Sequence, residues 1–533
     1  MKSFDFIIIG GGSAGCTLAG KLSASGQFQV CLIEAGPKDS SPLIHTPVGV
    51  VELMKSQKYN WLFNSVPEKT QNQRQIFNPR GKTLGGSSSI NAMLYIRGQK
   101  EDYDTWRDLG NEGWGYDDVL PYFKATQNQE RGENEYHGVG GPLNVAESRS
   151  KLPVFDRFID AAINAGYPAN NDFNGSTQEG VGYFQVTQKD GMRCSAAKAF
   201  LTPNLDRKNL TVITDALVEK VLVEDKKAVG VQFKTKQKTR QLFANKEVIL
   251  SAGAFNSPQI LMLSGIGPKE ELVKHDIPLI QESPGVGQNL QEHVDVLVVN
   301  EYKKTDIIAY RPKALTKLIP SALKFFTERS GVLTSAVAEA GGFIKSDKSL
   351  DRPDLQVHFI PAAMDDHGRN IKLLCQYGIA IHTCLLRPKS IGQVTLFGKA
   401  PHLHPKIEIN MLDHPDDQAL MIKAIKCMRE IFAQPPIAQD IGQEIFPGNN
   451  CTSDEDILKF LKDKANTIYH PVGTCKMGSD DMAVVDQELK VHGIEALRVI
   501  DASIMPTLIS GNTNAPTIMI AAKIADSILQ TYQ

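Results

Sequence analysis

Apolar and polar positions at the start of the chain alternate between a strand-like and a helix-like period. The stretch "FDFIIIG" (4–10) is a short β-branched run that ends in glycine, as a buried parallel strand does. "SAGCTLAGKLSASG" (13–26) then carries apolar residues at helical spacing, and "FQVCLIEAG" (28–36) is a second buried run. The pattern predicts a β-α-β unit.

Further along, the period changes several times. Residues 210–234 alternate in the manner of strands joined by turns, which predicts an antiparallel layer. Residues 246–267 return to strand, glycine turn and helix, 496–506 again resemble a strand, and Pro516 opens a helix that continues to about residue 532. No internal repeat or low-complexity tract interrupts the order, so the chain is predicted to be a globular protein with at least two domains.

The segment 312–331, "PKALTKLIPSALKFFTERSG", predicts an amphipathic helix. One helical stripe holds only apolar side chains, and the basic residues lie off it; the stripe consists of Leu315, Leu318, Ile319, Ala322, Leu323 and Phe326. Two interpretations stay open: an ordinary helix packed on the core, or a helix lying in a membrane interface. Pro320 is expected to interrupt the helix in either case.

Composition excludes several classes of function. The 533 residues carry 58 basic and 60 acidic side chains, a net charge of −2, so attraction to nucleic acid is not expected. Eight scattered cysteines form no C-x-x-C pair, which favours reduced thiols over a zinc module or a disulfide framework. No run reaches the ~18 apolar residues that a transmembrane helix needs. These features predict a cytoplasmic protein. Peripheral contact with the inner face of the membrane through 312–331 stays open as the alternative to packing on the core.

A nucleotide site is predicted at "GGGSAG". Gly10, Gly12 and Gly15 have G-x-G-x-x-G spacing, follow a predicted strand and open a predicted helix. Glu34 lies nineteen residues beyond Gly15, at the end of the next strand, where a carboxylate accepts hydrogen bonds from ribose hydroxyls. The glycines permit a tight turn and a close approach of the backbone to a pyrophosphate at the helix N-terminus.

A second glycine loop favours FAD over a nicotinamide cofactor. In "NPRGKTLGGSSSINAM" (78–93), Gly85, Gly86 and Ser87 follow the basic residues Arg80 and Lys82. FAD is longer than a nicotinamide dinucleotide at its reactive end and needs backbone donors along its ribityl chain and ring. A nicotinamide enzyme has no evident need for this second polar nest.

Ordered motifs along the whole chain resemble those of the glucose–methanol–choline (GMC) oxidoreductase family. "GKTLGGSSSIN" (81–91) and "GAFNSPQILMLSGIG" (253–267) resemble the two family signatures. Further family-like stretches are "GMRCSAAKAFL" (191–201), "PGVGQNLQEH" (284–293), "HPVGTCKMG" (470–478) and "GNTNAPTIMIAAKIAD" (511–526). Among subfamilies the chain is most similar to bacterial FAD-dependent dehydrogenases of aliphatic alcohols, with choline dehydrogenases next.

The resemblance implies an α/β plus α+β fold. A Rossmann-like FAD-binding domain would be assembled from 1–150, 191–300 and 465–533, and a substrate-binding domain on an antiparallel sheet from 151–190 and 301–464. Family members that bind FAD covalently use a histidine at the place of Ile90, so non-covalent FAD is expected. The glycine motifs and the resemblance together give the cofactor contacts Gly10, Gly12, Ser13, Ala14, Gly15, Glu34, Ala35, Gly36, Arg80, Gly85, Gly86, Ser87, Asn91, Ala92, Met93, Val218, Asp501 and Ala502.

Catalytic roles are implied for His470 and Asn514. Oxidation of an alcohol removes a proton from oxygen and a hydride from carbon, and a histidine titrates in the right range to take the proton. By resemblance His470 is this base, and Asn514 is the second active-site residue, whose amide would bind the alkoxide. The alternatives are a structural histidine in a turn and an asparagine that caps the following helix.

Three other features of the sequence leave alternatives open. His293 is expected to be structural or to lie outside the first layer of the site, and Glu339 either holds a cationic substrate or pairs with a nearby base. "YHPVGTCKMG" (469–478) offers His, Cys and Met, but their spacing is unusual for copper, so no metal site is predicted.

The predicted function is oxidation of primary, medium-chain aliphatic alcohols to aldehydes, with hydride transfer to flavin N5 and electrons passed to a quinone-type acceptor. The alternatives are oxidation of choline to betaine aldehyde, an oxidase that uses oxygen, and a non-redox flavin lyase of the same family.

Overall fold

The computed structural model describes residues 3–236 and 238–532. In chain order, β1–β24 are Ser3–Ile9, Val30–Ile33, Phe63–Asn64, Phe77–Asn78, Gln127–Gln129, Leu143–Val145, Gly180–Tyr183, Gln188–Lys189, Met192–Arg193, Leu210–Ile213, Ala216–Glu224, Lys227–Thr235, Lys238–Leu250, Ile266–Gly267, Gln281–Glu282, Val294–Tyr302, Ala340–Ile344, Leu355–Ile360, Gly378–Leu385, Gln393–Thr395, Lys406–Glu408, Ile441–Phe446, Asn466–Thr467 and Leu497–Val499. The α-helices α1–α13 are Ser13–Leu22, Pro42–His45, Val50–Leu53, Lys100–Asp108, Tyr116–Thr126, Pro153–Asn164, Gly253–Leu263, Lys269–Lys274, Pro312–Thr327, Ile371–Leu374, Pro415–Phe432, Asp454–Lys464 and Asn514–Tyr532.

The first large sheet has the order β10-β2-β1-β13-β12-β11, with β24 paired to β13. The strands β10, β2, β1, the second half of β13, and β24 run parallel, and β11 and β12 join the first half of β13 in antiparallel pairs. The buried helices α1 and α13 contribute to the same apolar core as these strands. The β-α-β unit and the antiparallel layer predicted from the period are therefore confirmed.

The second large sheet is antiparallel and has the order β22-β16-β19-β18-β17-β7, with β23 paired to β16. The strands β18 and β19 are buried along their whole length, and α6 and α11 belong to the same apolar core. Together the two sheets confirm the mixed fold class. The strand β16 crosses the domain boundary expected at residue 300, and β23 comes from the 465–533 segment. The division into domains stays a prediction.

The amphipathic helix α9 differs from expectation at Pro320, and it leaves part of its apolar stripe exposed. The helix continues through Pro320, although an interior proline removes one backbone hydrogen bond. The proline stands on an exposed face of the helix. Ile319, Leu323 and Phe326 are 59%, 61% and 72% exposed, so this part of the stripe does not pack on the core. The side chains of Leu315, Lys317 and Leu318 lie outside the described residues.

Within the described ranges, 3–236 and 238–532, no helix is both long enough and apolar enough to cross a bilayer.

Candidate active site

The first glycine loop joins β1 to α1 and leaves no space for a side chain at Gly10 or Gly15. Gly10 has a φ of +99°, which favours glycine, and a Cβ at Gly15 would stand 1.9 Å from the carbonyl oxygen of Gly10. Gly12 is the residue immediately before α1, and Ser13 opens the helix. The helix N-terminus therefore reaches the cavity with its backbone N–H groups uncovered by side chains, as binding of a pyrophosphate requires.

Glu34 lies at the end of β2 and its carboxylate ties two glycines together. Oε2 accepts from the N–H of Gly11 at 2.7 Å, and Oε1 accepts from the N–H of Gly36 at 2.8 Å. Burial raises the pKa of Glu34 to about 7, although both backbone donors favour the charged form. The carboxylate lines the cavity, where its remaining acceptor positions can meet ribose hydroxyls.

The second glycine loop lies directly against the first. Gly85 and Gly86 both have positive φ, and a Cβ at Gly86 would stand 2.7 Å from the Cα of Gly12. Arg193, a residue without an assigned role in the sequence, donates to the carbonyl oxygens of Ser88 and Asn91 and to the side chain of Asn91. Since Arg193 is fully buried, we interpret it as the support of this loop rather than a ligand of the substrate. The motif "GMRCS" marked the residue without revealing this partner.

One large cavity runs between the two sheets and collects most of the expected cofactor residues. Those that line it are Gly10, Gly12, Ser13, Ala14, Glu34, Ala35, Arg80, Gly86, Ser87, Asn91, Ala92, Met93, Val218, Asp501 and Ala502. Gly15, Gly36 and Gly85 do not line it, and each makes room for a neighbouring backbone or side-chain atom instead. Ile90 lines the cavity at the place where covalent attachment would need a histidine.

His470 lies in the cavity wall with both ring nitrogens engaged. Nδ1 is 2.9 Å from Nδ1 of His293, and Nε2 is 3.1 Å from the amide nitrogen Nδ2 of Asn512. Burial lowers the pKa of His470 well below its ordinary value, and His293, Arg80 and His358 lower it further. The ring is therefore neutral at physiological pH and able to accept a proton.

Two asparagines, rather than one, stand at the entrance to α13. Asn514 is the first residue of the helix and lines the cavity, but its Oδ1 accepts from the hydroxyl of Ser13 at 2.7 Å. Asn512, which also lines the cavity, is the residue that contacts His470. The motif "GNTNAP" contained both asparagines, and sequence spacing alone could not distinguish them.

The buried carboxylate of Glu292 and the partly buried guanidinium of Arg80 hold the backbone around His470. Arg80 donates to the carbonyl oxygen of Tyr469 at 2.6 Å, and Glu292 accepts from the N–H of His470 at 2.6 Å. Burial lowers the pKa of Arg80 to about 10 and raises that of Glu292 to about 8. These contacts fix the turn that carries His470.

Glu339 is fully buried and is absent from the described cavity lining, next to Val337 and Ala338, which line it. Its carboxylate accepts hydrogen bonds from the hydroxyls of Ser148, Ser150 and Ser335. Both alternatives considered for this residue, a cation site and a pair with a base, are replaced by a cluster of hydroxyl donors.

The His-Cys-Met stretch does not converge on a common point. Cys475 and Met477 are fully buried members of the first core, and burial raises the pKa of the Cys475 thiol well above its ordinary value. Among the described residues, no group of three or more His, Cys, Asp or Glu side chains is arranged to hold a metal ion.

Part of the cavity wall is apolar. It is formed by Val337 and Ala338, just before β17, and by Ile360 and Met364, at and after the end of β18, and the histidines His358 and His382 line the same cavity. The acidic residues among the described lining are Glu34 and Asp501. Asp501 accepts from the N–H groups of Gly253 and Ser503 and from a serine hydroxyl, so its carboxylate is already satisfied within the fold.

The residues present fit FAD. The helix N-terminus, the carboxylate of Glu34 and the second glycine loop line the same cavity. FAD needs an anion site for its pyrophosphate, a ribose acceptor on one side of that site and further backbone donors on the other.

Comparisons with known proteins define the class. Residues 4–295 and 388–521 match the two family models described as GMC oxidoreductase. The chain is 48% identical to an "Alcohol dehydrogenase [acceptor]" of Pseudomonas putida, over 99% of this chain and 96% of that protein. It is 43% identical to the mitochondrial choline dehydrogenase of Mus musculus, over 98% and 89% of the two chains.

A solved structure agrees in fold. A formate oxidase variant of Aspergillus oryzae, studied for modification of its FAD, is 28% identical, with a TM-score of 0.91 and coverage of 99% and 98%. The protein is therefore an FAD-binding oxidoreductase. It belongs to the GMC oxidoreductase family.

Proposed function

We propose that the protein oxidises primary, medium-chain aliphatic alcohols to aldehydes and passes the electrons to a quinone-type acceptor. The observation that carries the proposal is the position of His470, which faces one cavity between the glycine loops and an apolar wall. The 48% identity to an alcohol dehydrogenase [acceptor] supports both the substrate class and the use of an acceptor.

The chain's own residues account for activation of the alcohol. Nε2 of His470 accepts the hydroxyl proton, and the amides of Asn512 and Asn514 are within the same lining to donate to the alkoxide that forms. FAD, when bound, supplies the acceptor for the hydride that leaves carbon.

The same residues are proposed as the cofactor contacts. The uncovered N-terminus of α1 would bind the pyrophosphate, and Glu34 would accept from ribose hydroxyls. The loop of Gly86, Ser87 and Asn91 would donate to the reactive end of FAD, held without a covalent bond because Ile90 offers no nucleophile.

An uncharged chain is favoured over choline. Recognition of a quaternary ammonium group uses aromatic faces or a carboxylate. The two lining carboxylates of the described residues, Glu34 and Asp501, are held by backbone donors beside the glycine loops and are not free to pair with a cation. The lining has aromatic rings, but it also has an apolar aliphatic part formed by Val337, Ile360 and Met364; the rings are those of Trp61, Phe63, Phe255 and Tyr469. The aliphatic part suits an alkyl chain, which gains about 0.8 kcal/mol per buried CH₂ group.

Steady-state turnover with a dye acceptor tests the substrate. Hexanol is expected to give the higher kcat/KM, and clear preference for choline would overturn the proposed class. Release of peroxide at the rate of alcohol loss would identify an oxidase instead, and failure of every alcohol to bleach bound FAD without oxygen would point to a non-redox member.

We also propose that α9 contacts an anionic membrane surface. The exposed stripe of Ile319, Leu323 and Phe326 lies on a helix that also carries Lys313 and Lys324. An apolar stripe flanked by lysines complements the headgroup region of anionic lipids. A quinone dissolved in the same bilayer would then be close to the enzyme.

Flotation with vesicles tests this contact. The wild type is expected to bind vesicles that contain phosphatidylglycerol, and Leu323→Ser with Phe326→Ser to reduce binding with dye-coupled turnover unchanged. Exchange of Leu205, 46% exposed elsewhere on the surface, for serine is the matched control. Equal flotation of all three proteins would discard the contact.

A further inference from the structure

His293 lies behind His470, on the side away from Asn512. Its Nδ1 is 2.9 Å from Nδ1 of His470, its Nε2 is 3.1 Å from the carbonyl oxygen of Leu386, and the two rings are perpendicular. His293 is fully buried and is absent from the described cavity lining, so it reaches the cavity only through His470.

The carbonyl of Leu386 determines which nitrogen of His293 carries the proton. A carbonyl oxygen only accepts, so Nε2 of His293 must be the donor. Burial lowers the pKa of His293 to about 3, and His358 and Arg387 add to the effect, so the ring is neutral and has one N–H group. Its Nδ1 therefore presents a lone pair to His470.

The lone pair of His293 in turn fixes the proton of His470. Two unprotonated nitrogens would repel each other at 2.9 Å, so Nδ1 of His470 must be the donor of this contact. Because neutral imidazole has only one N–H group, Nε2 of His470 is left as an acceptor. That nitrogen is the one that faces Asn512 in the cavity lining.

Contacts on the cavity side of His470 agree with a proton on Nδ1 and a lone pair on Nε2. Gln356 Nε2 donates to Oδ1 of Asn512 at 3.1 Å, which leaves the Asn512 NH₂ group to face Nε2 of His470 at 3.1 Å. The hydrogen bonds thus run one way, from Gln356 through Asn512, His470 and His293 to Leu386. Each group in the row has the donor or acceptor that its neighbour needs.

We propose that His293 is a positioning residue that selects the tautomer of His470 by accepting from its Nδ1. The proton stays on the buried side of the ring, and the lone pair of Nε2, to which Asn512 donates in this structure, stays on the cavity side, where the hydroxyl of a bound substrate would take the place of that donor. After proton uptake the same Nδ1–H bond to His293 remains, so the imidazolium keeps its orientation. The inference rests on the proposed role of His470 as base.

Two substitutions separate tautomer selection from packing. In His293→Asn the amide oxygen stands near the former Nδ1 and can still accept, whereas His293→Leu has similar bulk and no acceptor. Without an acceptor behind it, His470 can move its proton to Nε2 and lose the lone pair. The measurement is anaerobic reduction of bound FAD by hexanol, with FAD content and thermal unfolding recorded for each holoenzyme.

His293→Leu is expected to slow reduction ~10- to 100-fold, a part of the ~10²–10⁴ that a positioned base supplies, with the dissociation constant for hexanol little changed. His293→Asn is expected to restore most of the rate. Equal losses in both variants that follow their unfolding temperatures, or a normal rate in His293→Leu, would contradict the proposal.

Nitrogen-15 NMR of histidine-labelled wild type gives a second test that needs neither a variant of His293 nor a substrate. The ring of His470, assigned by its loss in His470→Gln, is expected to carry its proton on Nδ1. A proton on Nε2 would overturn tautomer selection. If the tautomer is as expected but no alcohol reduces the flavin, the proposed function fails and this inference about the ring stands.

Discussion

Replacement of the Asn512 amide by a carboxylate should shift the acid limb of the kcat/KM profile to higher pH. In Asn512→Asp, the NH₂ group 3.1 Å from Nε2 of His470 becomes an oxygen, and Gln356 Nε2 still donates to the other oxygen and favours its charged form. A negative charge at this distance stabilises the imidazolium of His470, whose pKa is otherwise lowered by burial.

The size of the shift follows from the geometry. Charge centres ~4 Å apart at an effective dielectric constant of ~20 attract by about 4 kcal/mol, which corresponds to ~3 pKa units. The base must be unprotonated to act, so kcat/KM rises with pH through the pKa of His470. The acid limb of the variant's profile should therefore lie at higher pH than that of the wild type.

The pH profile of kcat/KM with hexanol measures this shift. Asn514→Asp is the matched control, since Oδ1 of Asn514 accepts from Ser13 and the described contacts include no hydrogen bond to His470. A smaller shift is expected there. An acid limb in Asn512→Asp that coincides with that of the wild type would refute the contact between Asn512 and the base.

Two further substitutions test the cofactor loop and the core. Gly15→Ala places a Cβ 1.9 Å from the Gly10 carbonyl, so the purified variant should contain little FAD by absorbance; full flavin content would contradict the tight packing of the loop. Arg498→Met leaves the buried carboxylate of Glu247 without its two-point ion pair, which should lower the free energy of unfolding by ~3–5 kcal/mol in urea, and the added Glu247→Leu should restore most of it. No recovery in the double variant would show that the loss came from packing alone.

The glycine loops could be predicted from sequence because the turns and contacts that require glycine are local. Gly10 and Gly15 serve one turn between β1 and α1, and Glu34 closes the adjacent strand. Strand, turn and helix periods mark such a unit within about thirty residues. The mixed fold followed from the same local patterns together with the family motifs.

Contacts between distant segments could not be predicted in this way. Asn512 and Asn514 stand two residues apart in one motif, and only the packing of α13 decides that the first meets His470 and the second meets Ser13. The partner of His470 on its buried side is 177 positions away, at His293. No period in the sequence encodes such a pair.

The amphipathic stripe of α9 shows the limit of periodicity. A period of 3.6 identifies which residues share a face, but not whether that face meets a core or solvent. Ile319 and Phe326 share the predicted face and are both exposed. The position of α9 in the tertiary structure decides whether this face is buried or exposed.

The central claim is that His470 takes the hydroxyl proton of an alcohol while bound FAD is reduced. Stopped-flow reduction without oxygen, comparing wild type with His470→Ala at equal flavin content, tests it most directly. The account predicts rapid bleaching by hexanol in the wild type and a rate at least ~10²-fold lower in the variant. Equal rates of bleaching in the two proteins would contradict it.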